Sequence, residues 1–222
     1  MITVHHLENS RSQRILWLLE ELGVPYEVKR YNRDKKTNLA PKELLKVHPL
    51  GKSPVIEDGG AVIAETGAIV EHIVETHGQG RLVPAKGTDD YRRYKYWLHA
   101  AEGSYMPPLV MALFLNRMET APMPFFAKPI AKKLTKAVRD GYLTHTTKAL
   151  FDYLDTELSK GEWLAGREFT AADIMMSFPA EASLQRVDAA KSSKNLKAYV
   201  DRLHARPAYK RALEKGGPYA YA

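Results

Sequence analysis

Residues 49–66 have the sequence PLGKSPVIEDGGAVIAET, and this stretch decides the fold of the first part of the chain. Two short apolar runs, 54–57 and 61–64, flank Asp58-Gly59-Gly60, which is a typical β-hairpin turn. Apolar residues with helical spacing then predict a helix over 66–77. The stretch therefore indicates an antiparallel strand pair followed by a helix that covers it.

The residues that precede this hairpin add two further strands and two helices. Residues 2–6 and 26–30 have the pattern of short strands. Between them, apolar residues over 15–22 form the stripe of an amphipathic helix that Gly23 ends, and a short helix is predicted over 40–47. The order βαβ, short α, ββα predicts a four-stranded sheet with helices packed on it.

The chain divides into two predicted domains. Residues 1–79 form the α/β domain, and residues 80–88, which are rich in glycine and proline, form a linker. Residues 89–222 have helical periodicity throughout, so the second domain is predicted to be all α-helical.

Two local signals stand out in the helical domain. Gly103, Pro107 and Pro108 predict a kink in its first long helix, because proline cannot continue the helical hydrogen-bond ladder. Thr170 and Asp173 have the spacing of a capping box at the start of a later helix.

Composition excludes several classes of function. The chain has no cysteine, which excludes disulfides, cysteine-ligated zinc and a protein thiol nucleophile. The net charge of +7 includes one local run of basic residues, for which a solvated helix face is favoured over a nucleic-acid interface. This run consists of Lys128, Lys132, Lys133, Lys136 and Arg139. We expect a cytoplasmic protein with no nucleic-acid partner, no membrane association and no metal cofactor.

Ser53-Pro54 opens a strand that is predicted to be internal to the sheet. Proline has no backbone N–H to donate to a neighbouring strand, so its presence there needs an explanation. A cis peptide bond would turn the preceding backbone outward and leave Ser53 free to pair with a peptide-like ligand as an added strand does. An ordinary trans proline that opens an edge strand fits this dipeptide equally well.

Glu65 and Thr66 directly precede the helix over 66–77, so their side chains lie beside free amides at a helix N-terminus. Simple capping by Thr66 is one interpretation. The other is a ligand with an ammonium, which Glu65 would bind, and a carboxylate, which Thr66 would bind. Lys52 could then neutralise a second carboxylate of that ligand.

Asn9, Ser10 and Arg11 lie between the first strand and the first helix. Capping of the helix by a serine is one interpretation. Hydrogen-bond donors and a cation at a helix N-terminus would also stabilise a thiolate, which a ligand must supply because the chain has no cysteine.

These motifs resemble those of the cytosolic glutathione transferases. The most specific part is the run Pro49-Leu50-Gly51-Lys52-Ser53-Pro54-Val55, followed by Asp58-Gly59-Gly60 and Glu65-Thr66. The run Trp97-Leu98-His99-Ala100-Ala101-Glu102-Gly103-Ser104 resembles the family's helical domain, particularly in its fungal-type branch that bacteria share. The resemblance extends over nearly the whole chain and implies a thioredoxin-like N-terminal domain.

The resemblance also implies how glutathione, the co-substrate, is bound. The backbone of Ser53 would pair with the cysteinyl part, Pro54 would be cis, and Glu65 and Thr66 would bind the γ-glutamyl end. Lys52 would bind the glycyl carboxylate. The chain departs from the family at the thiol, since Asn9 occupies the position where many members have a catalytic serine. Ser10, Asn9 and Arg11 are therefore the candidate catalytic residues.

The function that this resemblance implies is conjugation of glutathione to small apolar electrophiles by a homodimer. Candidate wall residues for the electrophile pocket are Tyr105, Met106, Met111 and Phe114, although such residues at helical spacing are more often part of the core. Two alternatives are a glutathione-dependent peroxidase or disulfide reductase, and a non-catalytic binding protein that kept the fold.

Overall fold

The computed structural model describes residues 1–221, and Ala222, the last residue of the predicted helical domain, lies outside the described part. The first unit contains one sheet with strand order β2-β1-β3-β4. β1 pairs with β2 in parallel, and β3 is antiparallel to both β1 and β4. Its elements are β1 (Ile2–Leu7), α1 (Gln13–Leu22), β2 (Tyr26–Tyr31), β3 (Val55–Asp58), β4 (Ala61–Ala64) and α2 (Thr66–His77). The expected thioredoxin-like α/β fold is confirmed.

Helix α1 forms where its apolar stripe predicts and lies in the centre of the molecule. Ile15, Leu18 and Leu19 are completely buried, and Gly23 ends the helix with φ 63°, a left-handed conformation that glycine adopts without a steric penalty. α1 packs against α2 and β1 of its own unit and against two helices of the helical unit, Ala171–Arg186 and Pro207–Gly216. It therefore joins the two units in one core.

The short helix expected over 40–47 is a 3₁₀ helix, Lys42–Lys46. Of its residues only Leu44 is buried, so a single side chain anchors the segment in the protein. A five-residue segment with a single buried anchor lacks the packing that a regular α-helix needs.

The second unit is all α-helical, as expected. Its helices are α3 (Asp89–Ala100), α4 (Met106–Thr120), α5 (Ala127–Val138), α6 (Thr144–Leu158), α7 (Ala171–Arg186), α8 (Asp188–Ser192), α9 (Lys194–His204) and α10 (Pro207–Gly216). Within residues 1–221, none of the helices combines the length and the apolar character that crossing a bilayer requires.

Short π-helical turns join two pairs of these helices. One covers Ala101–Tyr105 between α3 and α4, where the kink is predicted, and Pro107 and Pro108 lie just after it in the first turn of α4. The other covers Arg139–Leu143 between α5 and α6, where the sequence analysis predicts no interruption. π-Turns occur often at functional sites, and the first one carries Glu102 towards the N-terminal unit.

The predicted capping box forms at the start of α7. Asp173 is fully buried, and its carboxyl oxygens accept hydrogen bonds from the amides of Leu164 (3.0 Å) and Thr170 (2.9 Å) and from the hydroxyl of Tyr199 (3.1 Å). One side chain thus connects the loop before α7, the start of α7 and helix α9.

Candidate functional site

The loop between β1 and α1 is closed by hydrogen bonds of Ser12. Its Oγ accepts from the amide of Leu7 (3.3 Å) and lies 2.9 Å from Nδ1 of His6. Burial, together with the charge of Arg30, lowers the pKa of His6 to about 4, so this imidazole is neutral near pH 7. The loop therefore has a fixed shape, and it presents Asn9, Ser10 and Arg11 at the N-terminal end of α1.

Asn9 and Ser10 differ in what their side chains can offer a ligand. Asn9 is exposed and has φ 48°, and its Oδ1 accepts a hydrogen bond from the amide of Ala220 at 2.8 Å. Ser10 is only 7% exposed, and its Oγ accepts from the Ser12 amide (3.2 Å) and lies 2.8 Å from the Ser12 hydroxyl. The Ser10 hydroxyl is thus used within the loop, whereas Asn9 Nδ2 makes no hydrogen bond within residues 1–221.

Arg11 shares a carboxylate with a buried arginine. Its guanidinium lies 2.6 Å from Oε2 of Glu102, and the other oxygen of Glu102 pairs with Arg14. Arg14 is 1% exposed and also donates to the carbonyl of Met175 at 2.6 Å. Burial opposes ionisation of Glu102, but the charges of Arg14 and Arg11 outweigh it and hold its pKa below the ordinary value. Glu102 therefore connects the loop between β1 and α1 with the helical unit.

Ser53 uses its side chain for the fold and leaves its backbone available. The Ser53-Pro54 bond is cis. The Ser53 hydroxyl donates to the carbonyl of His5 (2.8 Å) and accepts from the amide of Leu7 (3.3 Å), which fixes it to β1. No hydrogen bond of the Ser53 backbone occurs within residues 1–221. An extended ligand can therefore pair with this backbone.

Glu65 and Thr66 lie where β4 passes into α2. Glu65 is exposed with φ 72°, and its carbonyl accepts the first helical bond, from the amide of Ile69 at 2.9 Å. Within residues 1–221 its carboxylate forms no ion pair, and the same holds for the exposed ammonium of Lys52. Thr66 is 4% exposed. A carboxylate, a threonine and free helix amides are thus available together.

The sheet brings these predicted residues to one end. Leu7, the last residue of β1, donates its amide to the hydroxyls of both Ser12 and Ser53. Val55 pairs with Ala64 across β3 and β4, so the cis proline lies beside the Glu65-Thr66 pair. The loop between β1 and α1, the Ser53 backbone and the start of α2 therefore surround one end of the sheet.

The four predicted pocket residues have different surroundings. Tyr105 is completely buried and its hydroxyl donates to the carbonyl of Leu150 at 3.0 Å, and Met106 is 5% exposed. Both belong to the helical core. Met111 is half-buried, and Phe114 is 56% exposed. Only the last two offer surface to a ligand in the described structure.

The C-terminal segment 217–221 also reaches this site, although none of its residues is among the predicted site residues. Besides the bond from Ala220 to Asn9, the hydroxyl of Tyr219 donates to Glu181 at 2.6 Å, and Tyr221 packs against Phe178. The sequence feature that could have drawn attention to this segment is its two tyrosines after a glycine pair. No local pattern, however, indicates where such a segment packs.

A large cavity lies away from these residues. It is an open groove of about 1260 Å³ between the linker and the loop that joins α6 to α7, and none of the predicted site residues lines it. Charges of both signs face it, including Arg81, Arg93 and Arg206 beside Glu21 and Glu157. Because the predicted chemistry lies at the sheet end, we do not assign the reaction to this groove.

Comparison with protein families identifies both units of the chain. Residues 1–75 match the family model described as "Glutathione S-transferase, N-terminal domain", and residues 116–207 match "Glutathione S-transferase, C-terminal domain". Together these matches cover well over half of the chain.

Individual proteins give the same result. Glutathione S-transferase 3 of Schizosaccharomyces pombe is 38% identical, over 97% of this chain and 88% of its own length. Glutathione S-transferase 1 of Saccharomyces cerevisiae is 34% identical, over 86% and 84% of the two chains. The crystal structure of a glutathione S-transferase from Actinobacillus pleuropneumoniae superimposes with a TM-score of 0.83 at 34% identity, covering 100% of this chain and 95% of the other.

Proposed function

We propose that this chain, which belongs to the glutathione S-transferase family and is a glutathione transferase, conjugates glutathione to small apolar electrophiles. The observation that carries this proposal is the set of groups at the sheet end. The free backbone of Ser53, the carboxylate of Glu65 and the ammonium of Lys52 match the amide, ammonium and glycyl carboxylate of glutathione. We further propose that the reaction takes place in the cytoplasm and serves detoxification.

Each part of glutathione has a partner in this arrangement. The cysteinyl residue pairs with the Ser53 backbone beside the cis proline, as an added strand pairs with a sheet edge. The γ-glutamyl ammonium binds Glu65, and its carboxylate binds Thr66 and the free amides that begin α2. These contacts hold the thiol near the N-terminal end of α1.

The protein then has to stabilise the thiolate. Lowering the pKa of a thiol by ~2 units requires about 2.7 kcal/mol of preferential interaction. Three interactions together can supply a free energy of this size. They are the positive end of α1, one hydrogen-bond donor and the nearby charge of Arg11. The thiolate sulfur attacks the electrophilic carbon, a carbon–sulfur bond forms, and the leaving group departs with its bonding electron pair.

Of the three candidate catalytic residues, Asn9 has the best support as the thiolate donor, because its side chain is exposed at the end of α1 while the Ser10 hydroxyl serves the loop. We expect Asn9→Gly, which tolerates the positive φ, to raise the kinetic pKa of bound glutathione and lower turnover with little change in affinity. Arg11→Ala should raise this pKa in a salt-dependent manner.

Turnover measured against pH with chlorodinitrobenzene checks this assignment, with Ser10→Ala as the comparison. If Ser10→Ala changes the pH profile and Asn9→Gly does not, Ser10 is the donor instead. Unchanged profiles in all three variants would assign the role to the helix amides.

The glutathione site is tested with Glu65→Ala. Removing this carboxylate leaves the bound ammonium without its counter-charge, so we expect the dissociation constant of glutathione to rise ten-fold or more, which corresponds to about 1.5 to 3 kcal/mol. Glu75→Ala, on the exposed side of the same helix, is the matched control and should bind as the parent does. Calorimetry gives both constants, and equal affinities in the two variants would contradict the site.

Substrate assays on the same samples distinguish the possible reactions. Turnover of chlorodinitrobenzene above that of cumene hydroperoxide and hydroxyethyl disulfide supports conjugation, and the reverse order favours a peroxidase or reductase.

Of the four predicted pocket residues, we propose Met111 and Phe114 as walls of the electrophile pocket, because both have exposed surface.

We also propose that the chain forms a homodimer through α3 and α4. Exposed apolar side chains on these helices, Tyr96 and Met118, support this surface. Light scattering on the assay samples should give twice the mass of one chain.

A further inference from the structure

Three side chains that the proposed glutathione site does not use meet at the opposite end of α2. Asp58 ends β3, His72 lies in the second half of α2, and His77 is the last residue of α2. Nε2 of His72 lies 2.9 Å from Oδ2 of Asp58, and Nε2 of His77 lies 2.7 Å from the same oxygen. Within residues 1–221 no other group of three potential ligand side chains converges in this way.

We propose that Asp58, His72 and His77 form a binding site for a divalent metal ion of the zinc type. Two imidazole nitrogens and one carboxylate oxygen are a ligand set that Zn²⁺ prefers, and a water molecule completes the tetrahedron. With metal–ligand bonds of about 2.0–2.2 Å, neighbouring ligand atoms lie roughly 3.3 Å apart. The ligand atoms of the site already lie within 4.8 Å of one another, so small side-chain movements are sufficient to admit the ion.

The charges at the site favour a cation. Within residues 1–221 no lysine or arginine forms an ion pair with Asp58, and the two imidazoles are the partners of its carboxylate. Metal ions bind carboxylate and neutral imidazole groups, so a divalent ion at this position would supply the positive charge opposite Asp58.

Access and position define the role of this site. The side chains of His72, His77 and Asp58 are 28%, 32% and 15% exposed, so an ion and its water can reach atoms that the fold already holds in place. α2 extends about 16 Å from Thr66 to His77, which separates the metal from the proposed glutathione site. The ion would link the β3–β4 turn to the end of α2 through three protein ligands, and its fourth position would hold a water molecule.

No metal cofactor is expected from the sequence, because the chain has no cysteine to complete a zinc-finger motif. His72 and His77 do have the spacing of a histidine ligand pair, but the third ligand, Asp58, belongs to a different element of the fold. The three residues come together only because α2 packs across the strand that ends at Asp58.

The test is a calorimetric titration of the EDTA-treated full chain with zinc chloride at pH 7.5. We expect one Zn²⁺ per chain and a rise in melting temperature, and loss of about ten-fold or more in affinity in the double variant His72→Gln/His77→Gln. The matched control is His99→Gln/His145→Gln, which removes two exposed histidines elsewhere and should bind as the parent does.

Two outcomes overturn the proposal: no zinc binding by the parent, or equal affinity in the parent and the His72→Gln/His77→Gln variant. If that variant does not fold, Asp58→Asn, which keeps the side-chain shape and removes the charge, is measured in its place with the same expected loss. Glutathione affinity is measured in parallel. A parent that binds glutathione but no zinc contradicts only the metal site.

Discussion

Replacing Glu102 with alanine is expected to lower the free energy of unfolding by about 3 kcal/mol or more, because it leaves the buried Arg14 guanidinium without its counter-charge. Arg14 is 1% exposed and pairs with one oxygen of Glu102, and its remaining described side-chain partners are the carbonyls of Met175 and Arg11. A charge enclosed between the two units cannot recover its hydration without opening their interface.

Urea unfolding of the parent and of Glu102→Ala measures this loss. Arg11→Ala is the control, because the Arg11 side chain is 42% exposed and its loss leaves the pair of Arg14 and Glu102 intact. We expect this control to cost no more than about 1 kcal/mol. Equal losses in the two variants would mean that the unpaired, buried charge of Arg14 does not determine the change in the free energy of unfolding.

The same ion pair predicts a pH dependence with a definite sign. Despite its burial, the pKa of Glu102 lies below the ordinary value because of Arg14 and Arg11. The folded protein therefore binds the proton less readily than the unfolded chain, so this contribution to stability is complete above the unfolded value of about 4.5 and is lost as the pH falls through the folded pKa. Glu102→Gln should flatten this acid limb of the stability curve.

Asp173→Ala is expected to destabilise the helical unit by at least about 3 kcal/mol. The variant removes the acceptor from four donors, the amides of Leu164 and Thr170 and the hydroxyls of Thr170 and Tyr199, and each buried unsatisfied group costs about 1–3 kcal/mol. The cavity that remains adds to this loss, because Asp173 is completely buried.

Thermal and urea unfolding of Asp173→Ala and Asp188→Ala provide the measurement. Asp188 also lies in the first turn of a helix, but its side chain is 98% exposed, so we expect its replacement to change stability by at most about 0.5 kcal/mol. A small loss of stability in Asp173→Ala would show that water replaces the missing acceptor. The folded protein should bind glutathione with the parent's affinity in both variants, because neither residue belongs to the proposed glutathione site.

Structural features that depend only on neighbouring residues in the sequence were predicted correctly. Asp58-Gly59-Gly60 forms the hairpin turn, Gly23 ends α1, and Thr170 and Asp173 cap α7. Each of these features requires only a residue's own backbone preference or a partner three residues away. The same holds for the order of elements that defines the α/β unit, because hydrophobic periodicity is a local property.

The amino-acid sequence by itself thus determined the fold class and the set of residues at the end of the sheet. The tertiary structure decided which of their atoms are available: the Ser10 hydroxyl bonds within its loop, and Tyr105 lies in the core. It also brought Glu102 to Arg11 across 91 residues and Ala220 to Asn9 across 211. Such contacts depend on the packing of whole helices, in which many side chains contribute together, and no short stretch of sequence contains that information.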